Sequence, residues 1–134
     1  ANNALNDTYG LLYGEVWRAV VRAGLDPYFG IMHGTERDQG SLVFDLIEEF
    51  RAPFGDRLVL GMLGRGLQLP RDADGRLRPS CRHKLATAFH NQWRRTVRWR
   101  GKPYTPARIL EIQAGDIKKA FLGSDDYRAF RFQW

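Results

Sequence analysis

SLVFDLIEEFR, residues 41–51, is the stretch that decides the fold class. Its apolar side chains recur every three or four residues, which is the period of an α-helix buried along one face. These apolar residues are Leu42, Val43, Leu46, Ile47 and Phe50. The acidic residues Asp45, Glu48 and Glu49 share the opposite face. The stretch therefore predicts an amphipathic helix that is anchored in a core on one side and acidic on the other.

The helical period continues on both sides of this stretch. Gly24 is placed to cap the end of a first helix, and Pro53 is placed to end or kink the second. The predicted helices cover about residues 4–23, 41–52, 54–67, 80–99 and 106–122. The dipeptide Asp74-Gly75 is a turn signal for a short hairpin near residues 70–79. We therefore expect a single all-α domain of about five main helices with one possible hairpin.

The composition of the 134 residues is that of a globular protein. Hydrophobic residues make up 43% of the chain, which is enough to bury a core, and the single cysteine, Cys81, excludes an internal disulfide framework. No apolar run approaches the roughly 18 residues that span a bilayer. We therefore expect a soluble, cytoplasmic protein with no membrane partner.

Charge is distributed unequally along the chain. The net charge is +6, but residues 1–70 carry six Arg against nine acidic residues, whereas residues 71–134 carry fifteen Lys and Arg against six. This asymmetry suits a protein that binds a cation beside a polyanion, and solvated basic helices would give the same balance. No Walker loop, GxSxG elbow or HExxH pair occurs, so NTPase, serine-hydrolase and zinc-protease functions have no support.

The acidic face of residues 41–51 is a candidate metal site. Asp45 and Glu48 are three residues apart, which places their Cβ atoms about 5–6 Å apart on one face of a helix. Such a pair is stabilised either by water or by a divalent cation. His33, in the loop twelve residues before Asp45, can add an imidazole. A mixed set of carboxylates and histidine suits Mg²⁺ or Mn²⁺, and an ordinary solvated face remains the alternative.

The basic half of the chain contains a candidate nucleic-acid surface. Its cationic residues are Arg94, Arg95, Arg98, Arg100 and Lys102. Trp93, Trp99 and Tyr104 are interleaved with them. Arginine pairs with phosphate oxygens, and aromatic rings stack on unpaired bases. The alternative is that the aromatic residues belong to the core and the arginines are only solvated.

An ordered series of motifs resembles one known family over nearly the whole chain. The series comprises Asn3-Ala4-Leu5, Gly24-Leu25-Asp26-Pro27, Gly30 followed by His33, Asp45-Leu46, Glu48-Glu49-Phe50-Arg51, Asp56-Arg57-Leu58-Val59-Leu60, Ile112-Gln113 and Tyr127-Arg128-Ala129-Phe130-Arg131. In this order and spacing, the motifs are similar to the catalytic helical domain of the Cas-one family of CRISPR spacer-acquisition integrases. A series of this kind is far more specific than any single motif.

The resemblance implies a metal-dependent DNA integrase or endonuclease that acts in CRISPR adaptation. Such an enzyme joins the 3′-hydroxyl of captured DNA to the CRISPR repeat by transesterification, with Mg²⁺ or Mn²⁺ as cofactor. By motif, His33 and Glu48 match metal ligands, and Asp45 lines the same site. Glu49 is expected to be structural or solvated. The implied partners are DNA, a second copy of the protein in a homodimer, the Cas-two protein and, in some members, a fused reverse transcriptase.

One part of the family's site has no match in the sequence. The family's first glutamate ligand lies upstream of the Asn-Ala-Leu motif, and this chain begins at Ala1. The resemblance therefore implies a C-terminal part of the helical catalytic domain that lacks the N-terminal β domain and one ligand. We expect these 134 residues alone to bind metal weakly and not to integrate DNA. The competing functions are a non-catalytic helical DNA-binding module and a nuclease that uses water.

Overall fold

A computed structural model of the chain describes residues 2–27, 41–121 and 130. The helices are α1 (Asn2–Arg22), α2 (Ser41–Arg51), α3 (Arg57–Gly64), α4 (Pro79–Trp93) and α5 (Pro106–Phe121), with a π-helical segment (Ala52–Asp56) between α2 and α3. Two short strands, β1 (Val97–Trp99) and β2 (Lys102–Tyr104), form an antiparallel pair. The all-α prediction is therefore confirmed for most of the described chain, with this small sheet added. Within the same ranges, no helix combines the length and the apolar character needed to cross a membrane.

The end of α1 follows directly from Gly24. This residue has a φ of +80°, a left-handed conformation that glycine adopts without steric cost. The amide of Gly24 donates to the carbonyl of Val21 at 3.0 Å, and that of Leu25 donates to Val20 at 3.1 Å. These two bonds form a Schellman motif, which satisfies carbonyls at the helix end. The predicted C-terminal cap is therefore confirmed.

Pro53 does not separate two helices, because the chain continues through the π-helical segment. The amide of Arg57 donates to the carbonyl of Ala52, five residues earlier, which is the hydrogen bond that defines a π turn. Gly55 lies against the ring of Tyr9 on α1, and a Cβ atom at Gly55 would be 2.9 Å from Tyr9 Cε1. The third helix therefore begins at Arg57 and ends at Gly64, so the predicted span of residues 54–67 is too long at both ends.

The region after α4 differs most from the prediction. The fourth helix was expected to reach about Trp99, but it ends at Trp93 and is followed by the β1–β2 hairpin. Strand residue Trp99 pairs with Lys102, and the turn residues Arg100 and Gly101 have φ angles of 51° and 76°. Two successive positive φ angles match the twist of a tight hairpin, so the chain reverses here instead of extending the helix.

The hairpin predicted near residues 70–79 is reduced to one isolated antiparallel bridge between Arg71 and Leu77. Gly75, with a φ of +80°, closes the turn, as the Asp74-Gly75 signal predicts. The side-chain amide of Asn3 donates to the Gly75 carbonyl at 3.0 Å and attaches this turn to α1. The turn is therefore confirmed, but it does not carry two strands.

An aromatic cluster joins α2, the π segment and α4 to the single described residue near the C-terminus. Phe50 stacks on Phe130 with ring centroids 4.8 Å apart, and Phe54 meets Trp93 edge to face at 5.6 Å. All four side chains are buried.

A second, smaller cluster comprises Ala4, Val59, Leu77, Cys81 and Leu85 and packs against the N-terminal part of α1. Burial of Leu46, Ile47 and Phe50 fixes the rotation of α2 and therefore the direction of its acidic face.

Candidate metal site and nucleic-acid interface

The structure places two of the three predicted metal ligands on the outer part of α2. Asp45 is half-buried and Glu48 is exposed, with 68% of its side-chain surface accessible. The third, His33, lies outside the described residues, so its position relative to the helix stays a prediction. Over residues 2–27 and 41–121, no group of three or more His, Cys, Asp or Glu side chains is gathered for a metal.

Glu48 is connected to α1 through Arg51 and Tyr9. Arg51 Nη1 donates to Glu48 Oε1 at 3.1 Å, and the guanidinium carbon of Arg51 lies 4.4 Å from the centroid of the Tyr9 ring. The Tyr9 hydroxyl in turn donates to the carboxylate of Asp56 in the π segment. Glu48 therefore lies at the outer end of a connected series of contacts that begins at the irregular part of the helix.

The electrostatics of this series favour an uncharged tyrosine and a charged arginine. Burial raises the pKa of Tyr9 above its ordinary value of 10.0, and the hydrogen bond to Asp56 raises it further, against the opposing effect of Arg51. Hydrogen bonds to Tyr9 and Glu48 raise the pKa of Arg51. At neutral pH Tyr9 therefore stays protonated, and its hydroxyl donates a hydrogen bond to the Asp56 carboxylate.

The donor chemistry of Asp45 and Glu48 fits a hard divalent cation. Carboxylate oxygens are preferred ligands of Mg²⁺ and Mn²⁺, and the exposure of Glu48 leaves its carboxylate within reach of solvent while Arg51 binds one oxygen. An exposed ion pair of this kind contributes only about 0–1 kcal/mol, so a cation can compete with Arg51 for Glu48.

Glu49 does not share the outer face with Asp45 and Glu48, so the expectation that the three acids lie on one face is wrong, but the expectation that Glu49 is structural agrees with its contacts. Its Oε1 atom accepts the amide of Gln113 on α5 at 3.1 Å and the backbone amide of Phe130 at 2.8 Å. The side chain of Gln113 is completely buried. Glu49 therefore has a structural role, which joins α2 to α5 and to Phe130.

The predicted cationic residues are exposed, but they are presented by a helix end and a hairpin. Arg94 and Arg95 follow α4, Arg98 is on β1, Arg100 is in the turn and Lys102 is on β2. Arg100 has partners in the protein: its Nη2 lies 3.2 Å from Asp116 Oδ2, and its guanidinium carbon lies 4.0 Å from the Trp99 ring centroid. Part of its charge is therefore compensated locally.

Of the interleaved aromatic residues, Trp93 belongs to the core, and Trp99 and Tyr104 pack against it. Trp93 is only 4% exposed and stacks on Phe89 with centroids 5.3 Å apart. Trp99 and Tyr104 are half-buried and pack edge to face at 5.6 Å. Trp93 is therefore unavailable to stack on a DNA base, and the core interpretation is correct for this residue.

Comparison with known proteins identifies the family of this chain. A profile of the family described as CRISPR associated protein Cas1 matches residues 1–91. The chain belongs to the Cas1 family. A protein from Methanospirillum hungatei named CRISPR-associated endonuclease Cas1 1 is 32% identical over 98% of this chain. A protein of the same name from Thermus thermophilus is 36% identical over 96% of it.

Solved structures agree with this assignment at the level of the fold. A Cas1 protein from Thermotoga maritima superposes with a TM-score of 0.84 over 93% of this chain and 40% of its own, at 22% identity, which shows a shared fold. A casposase bound to an integration product gives a TM-score of 0.80 at 26% identity and covers 95% of this chain and 37% of its own. This Cas1 chain spans 41% and 43% of the two curated relatives, and it corresponds to a C-terminal part of them.

Proposed function

We propose that this chain is the metal-binding helical part of a DNA integrase that acts in CRISPR adaptation. In the proposed reaction, the 3′-hydroxyl of captured DNA attacks a phosphodiester of the CRISPR repeat, and the bond to the leaving oxygen breaks in a transesterification. The observation that carries the proposal is the similarity to a casposase bound to its integration product, over 95% of the chain with a TM-score of 0.80. Membership in a family whose relatives are named endonucleases supports it.

His33, Asp45 and Glu48 are the residues that would hold Mg²⁺ or Mn²⁺. When bound, such a cation supplies positive charge to the scissile phosphate and to the attacking and leaving oxygens. The protein's own contribution is to position its donors. Asp45 and Glu48 are fixed by the buried face of α2, and Arg51 orients the Glu48 carboxylate through a 3.1 Å contact.

DNA is the proposed substrate, and the basic helix end and hairpin are its proposed contact surface. Arg94, Arg95, Arg98 and Lys102 are all exposed and would bind phosphate oxygens, with Arg100 at the edge of the surface. The proposal also includes a homodimer, a complex with the Cas-two protein and, in some members, fusion to a reverse transcriptase. Each of these rests on the family resemblance.

The test uses the natural full-length protein. His33→Ala and Glu48→Ala should reduce joining of a 3′-hydroxyl DNA end to a repeat by at least about 100-fold, because each removes a metal ligand, while DNA affinity changes less than about threefold. Glu111→Ala is the matched control, because Glu111 is also exposed and is also paired with an arginine three residues away, at 2.9 Å. Undiminished joining by Glu48→Ala would contradict the proposal.

A non-catalytic helical DNA-binding module is the second candidate function. The observation that favours it is the ion pair between Arg51 and Glu48, which compensates the acidic charge without a cation. If the chain has this function, His33→Ala and Glu48→Ala leave DNA binding intact. The unmodified protein then forms no joined product. A third function, a nuclease that activates water, would give cleaved DNA where an integrase gives joined DNA. Comparison of the two products therefore distinguishes these functions.

A further inference from the structure

Arg51 occupies one of the two carboxylate oxygens of the candidate ligand Glu48. Its Nη1 atom donates to Glu48 Oε1 at 3.1 Å. Over the part of the chain that the structure describes, the other oxygen, Oε2, receives no hydrogen bond, and 68% of the Glu48 side chain is accessible. A cation that leaves this ion pair intact therefore finds a single free oxygen on Glu48.

The other side of Arg51 is held by contacts that do not involve Glu48. The guanidinium carbon lies 4.4 Å from the centroid of the Tyr9 ring, which is within the range of a cation–π contact. The Tyr9 hydroxyl donates to the Asp56 carboxylate, and the Tyr9 ring packs against Gly55, where a side chain would clash with it. These contacts favour Arg51 staying in place when a cation approaches Glu48.

The number of free carboxylate oxygens matters because divalent cations differ in the coordination they prefer. Ca²⁺ takes roughly six to eight oxygen ligands at about 2.3–2.6 Å in a flexible geometry and accepts both oxygens of one carboxylate. Mg²⁺ requires a near-ideal octahedron at about 2.0–2.1 Å, which two oxygens of the same carboxylate distort. An occupied Oε1 atom on Glu48 therefore disfavours Ca²⁺ more than it disfavours Mg²⁺.

The positive charge of Arg51 does not by itself distinguish between these cations. Ca²⁺ and Mg²⁺ carry the same charge and bind oxygen at similar distances, so repulsion by Arg51 weakens the binding of both to a similar extent. The competing explanation is an ordinary surface ion pair, which contributes about 0–1 kcal/mol to stability and has no effect on the choice of cation. The ratio of two cation affinities separates these effects, because a common charge effect cancels in it.

We propose that Arg51 determines the cation selectivity of the candidate metal site. By occupying Oε1 of Glu48, it restricts this ligand to one oxygen and so favours Mg²⁺ or Mn²⁺ over Ca²⁺. Tyr9 is the positioning residue that holds Arg51 in this arrangement. The inference rests on the proposed function, because it takes Glu48 to be a metal ligand.

The test measures cation binding to the natural full-length protein, with Mn²⁺ as the probe. The electron paramagnetic resonance signal of free Mn²⁺ reports its binding, and displacement by Ca²⁺ or Mg²⁺ gives their Kd values. Arg51→Ala should lower the ratio of the Ca²⁺ Kd to the Mg²⁺ Kd about tenfold, because Ca²⁺ gains a second Glu48 oxygen. Arg51→Lys retains the charge and an N–H donor, so it should keep this ratio within about threefold.

Arg108→Ala is the matched control. Arg108 is also exposed and is also paired with a glutamate three residues away, Glu111, at 2.9 Å. The ratio of the two Kd values should stay within about twofold in this variant, since its ion pair is not part of the candidate metal site.

Two variants of Tyr9 test its role as the positioning residue. Tyr9→Leu removes the ring on which the Arg51 guanidinium lies and should lower the ratio of the Ca²⁺ Kd to the Mg²⁺ Kd at least about threefold. Tyr9→Phe keeps the ring and should change this ratio less than about twofold. Equal ratios in the two Tyr9 variants would remove Tyr9 from this role.

An unchanged ratio in Arg51→Ala, an equal gain in affinity for all three cations, or the same change in Arg108→Ala would overturn the inference about Arg51. Glu48→Ala distinguishes this failure from failure of the proposed function. If Glu48→Ala leaves Mn²⁺ binding unchanged, Glu48 is not a ligand and both proposals fail. If Glu48→Ala weakens Mn²⁺ binding while Arg51→Ala leaves the ratio unchanged, only the inference about Arg51 fails.

Discussion

Arg51 illustrates, at the scale of single residues, how a surface carboxylate is connected to the interior. It contacts Glu48 on one side and the face of the Tyr9 ring on the other. Because Tyr9 also donates to Asp56, the orientation of Glu48 depends on residues of α1 and the π segment. Spacing on α2 predicts the Asp45–Glu48 pair, but no local pattern predicts Tyr9 as a neighbour, since it is distant in sequence.

Because the pKa of Tyr9 is raised in the folded protein, the free energy of unfolding should decrease at alkaline pH. The phenol has its ordinary pKa of 10.0 in the unfolded chain and a higher one in the folded protein, so its contribution to the unfolding free energy is complete below about pH 10 and is lost as the pH rises through the folded value. Urea unfolding at a series of alkaline pH values should show this decrease, and Tyr9→Phe should reduce its slope.

Tyr13→Phe is the control for this pH experiment, because Tyr13 is on the same helix and stacks on Trp17. Tyr13→Phe should leave unchanged the decrease in the free energy of unfolding that titration of Tyr9 causes at alkaline pH. An identical pH dependence for the Tyr9→Phe variant and the unmodified protein would show that the phenol is not held by Asp56 and burial.

At the scale of secondary-structure elements, the π segment is the distinctive feature. A π turn contains one more residue than an α turn, and such irregularities occur frequently at functional sites. Here the segment provides Asp56 for Tyr9, the Phe54 carbonyl for Gln92 and the gap at Gly55 that receives the Tyr9 ring. One irregular turn therefore contacts α1 through Tyr9 and α4 through Gln92.

Gly55→Ala should destabilise the protein by about 1–3 kcal/mol, because its Cβ atom would clash with a ring carbon of Tyr9 at 2.9 Å. Gly10→Ala is the matched control within α1, since no atom lies within 4 Å of its new Cβ atom. It should stabilise the helix by roughly 0.5–1 kcal/mol through the higher helix propensity of alanine. Urea midpoints measure both effects, and stabilisation by Gly55→Ala would contradict the packing of Tyr9 on this segment.

Elements with local signals were predictable from the sequence. Gly24 sets the end of α1, and Thr105 with Pro106 sets the start of α5, where the Thr105 hydroxyl accepts the amide of Arg108 at 3.2 Å. The β1–β2 hairpin was not predictable in the same way. Its turn places Arg100 at a positive φ, a position that asparagine, aspartate or glycine normally occupies, so the usual signal is missing.

At the scale of the whole molecule, Phe130 links the acidic helix to the basic hairpin. Its ring stacks on Phe50 of α2 at 4.8 Å and meets Trp99 of β1 at 6.1 Å. The candidate metal face and the candidate DNA surface are therefore built on one common aromatic cluster. The acidic and basic halves of the sequence therefore form two separate surfaces, the candidate metal face and the candidate DNA surface, and both pack on the same core.

Neutralisation of the basic surface should change the salt dependence of DNA binding. Replacement of Arg94, Arg95 and Arg98 by alanine should reduce the slope of log Kd against log salt by about 2–3, because each phosphate contact releases roughly one counterion. Affinity should fall uniformly across DNA sequences. Arg108→Ala is a control, because Arg108 is exposed on α5 and paired with Glu111. An unchanged slope would exclude the three arginines from the interface.

The contact between Glu49 and Phe130 has a consequence for folding kinetics. The two residues are separated by 81 positions, so their hydrogen bond closes a loop that contains α3, α4, the hairpin and α5. Closing a loop of this length is entropically costly until the intervening elements are packed. We therefore expect the contact to form late in folding. Loss of the contact, as in Glu49→Gln, should then accelerate unfolding more than it slows refolding, which unfolding and refolding rates in urea would measure.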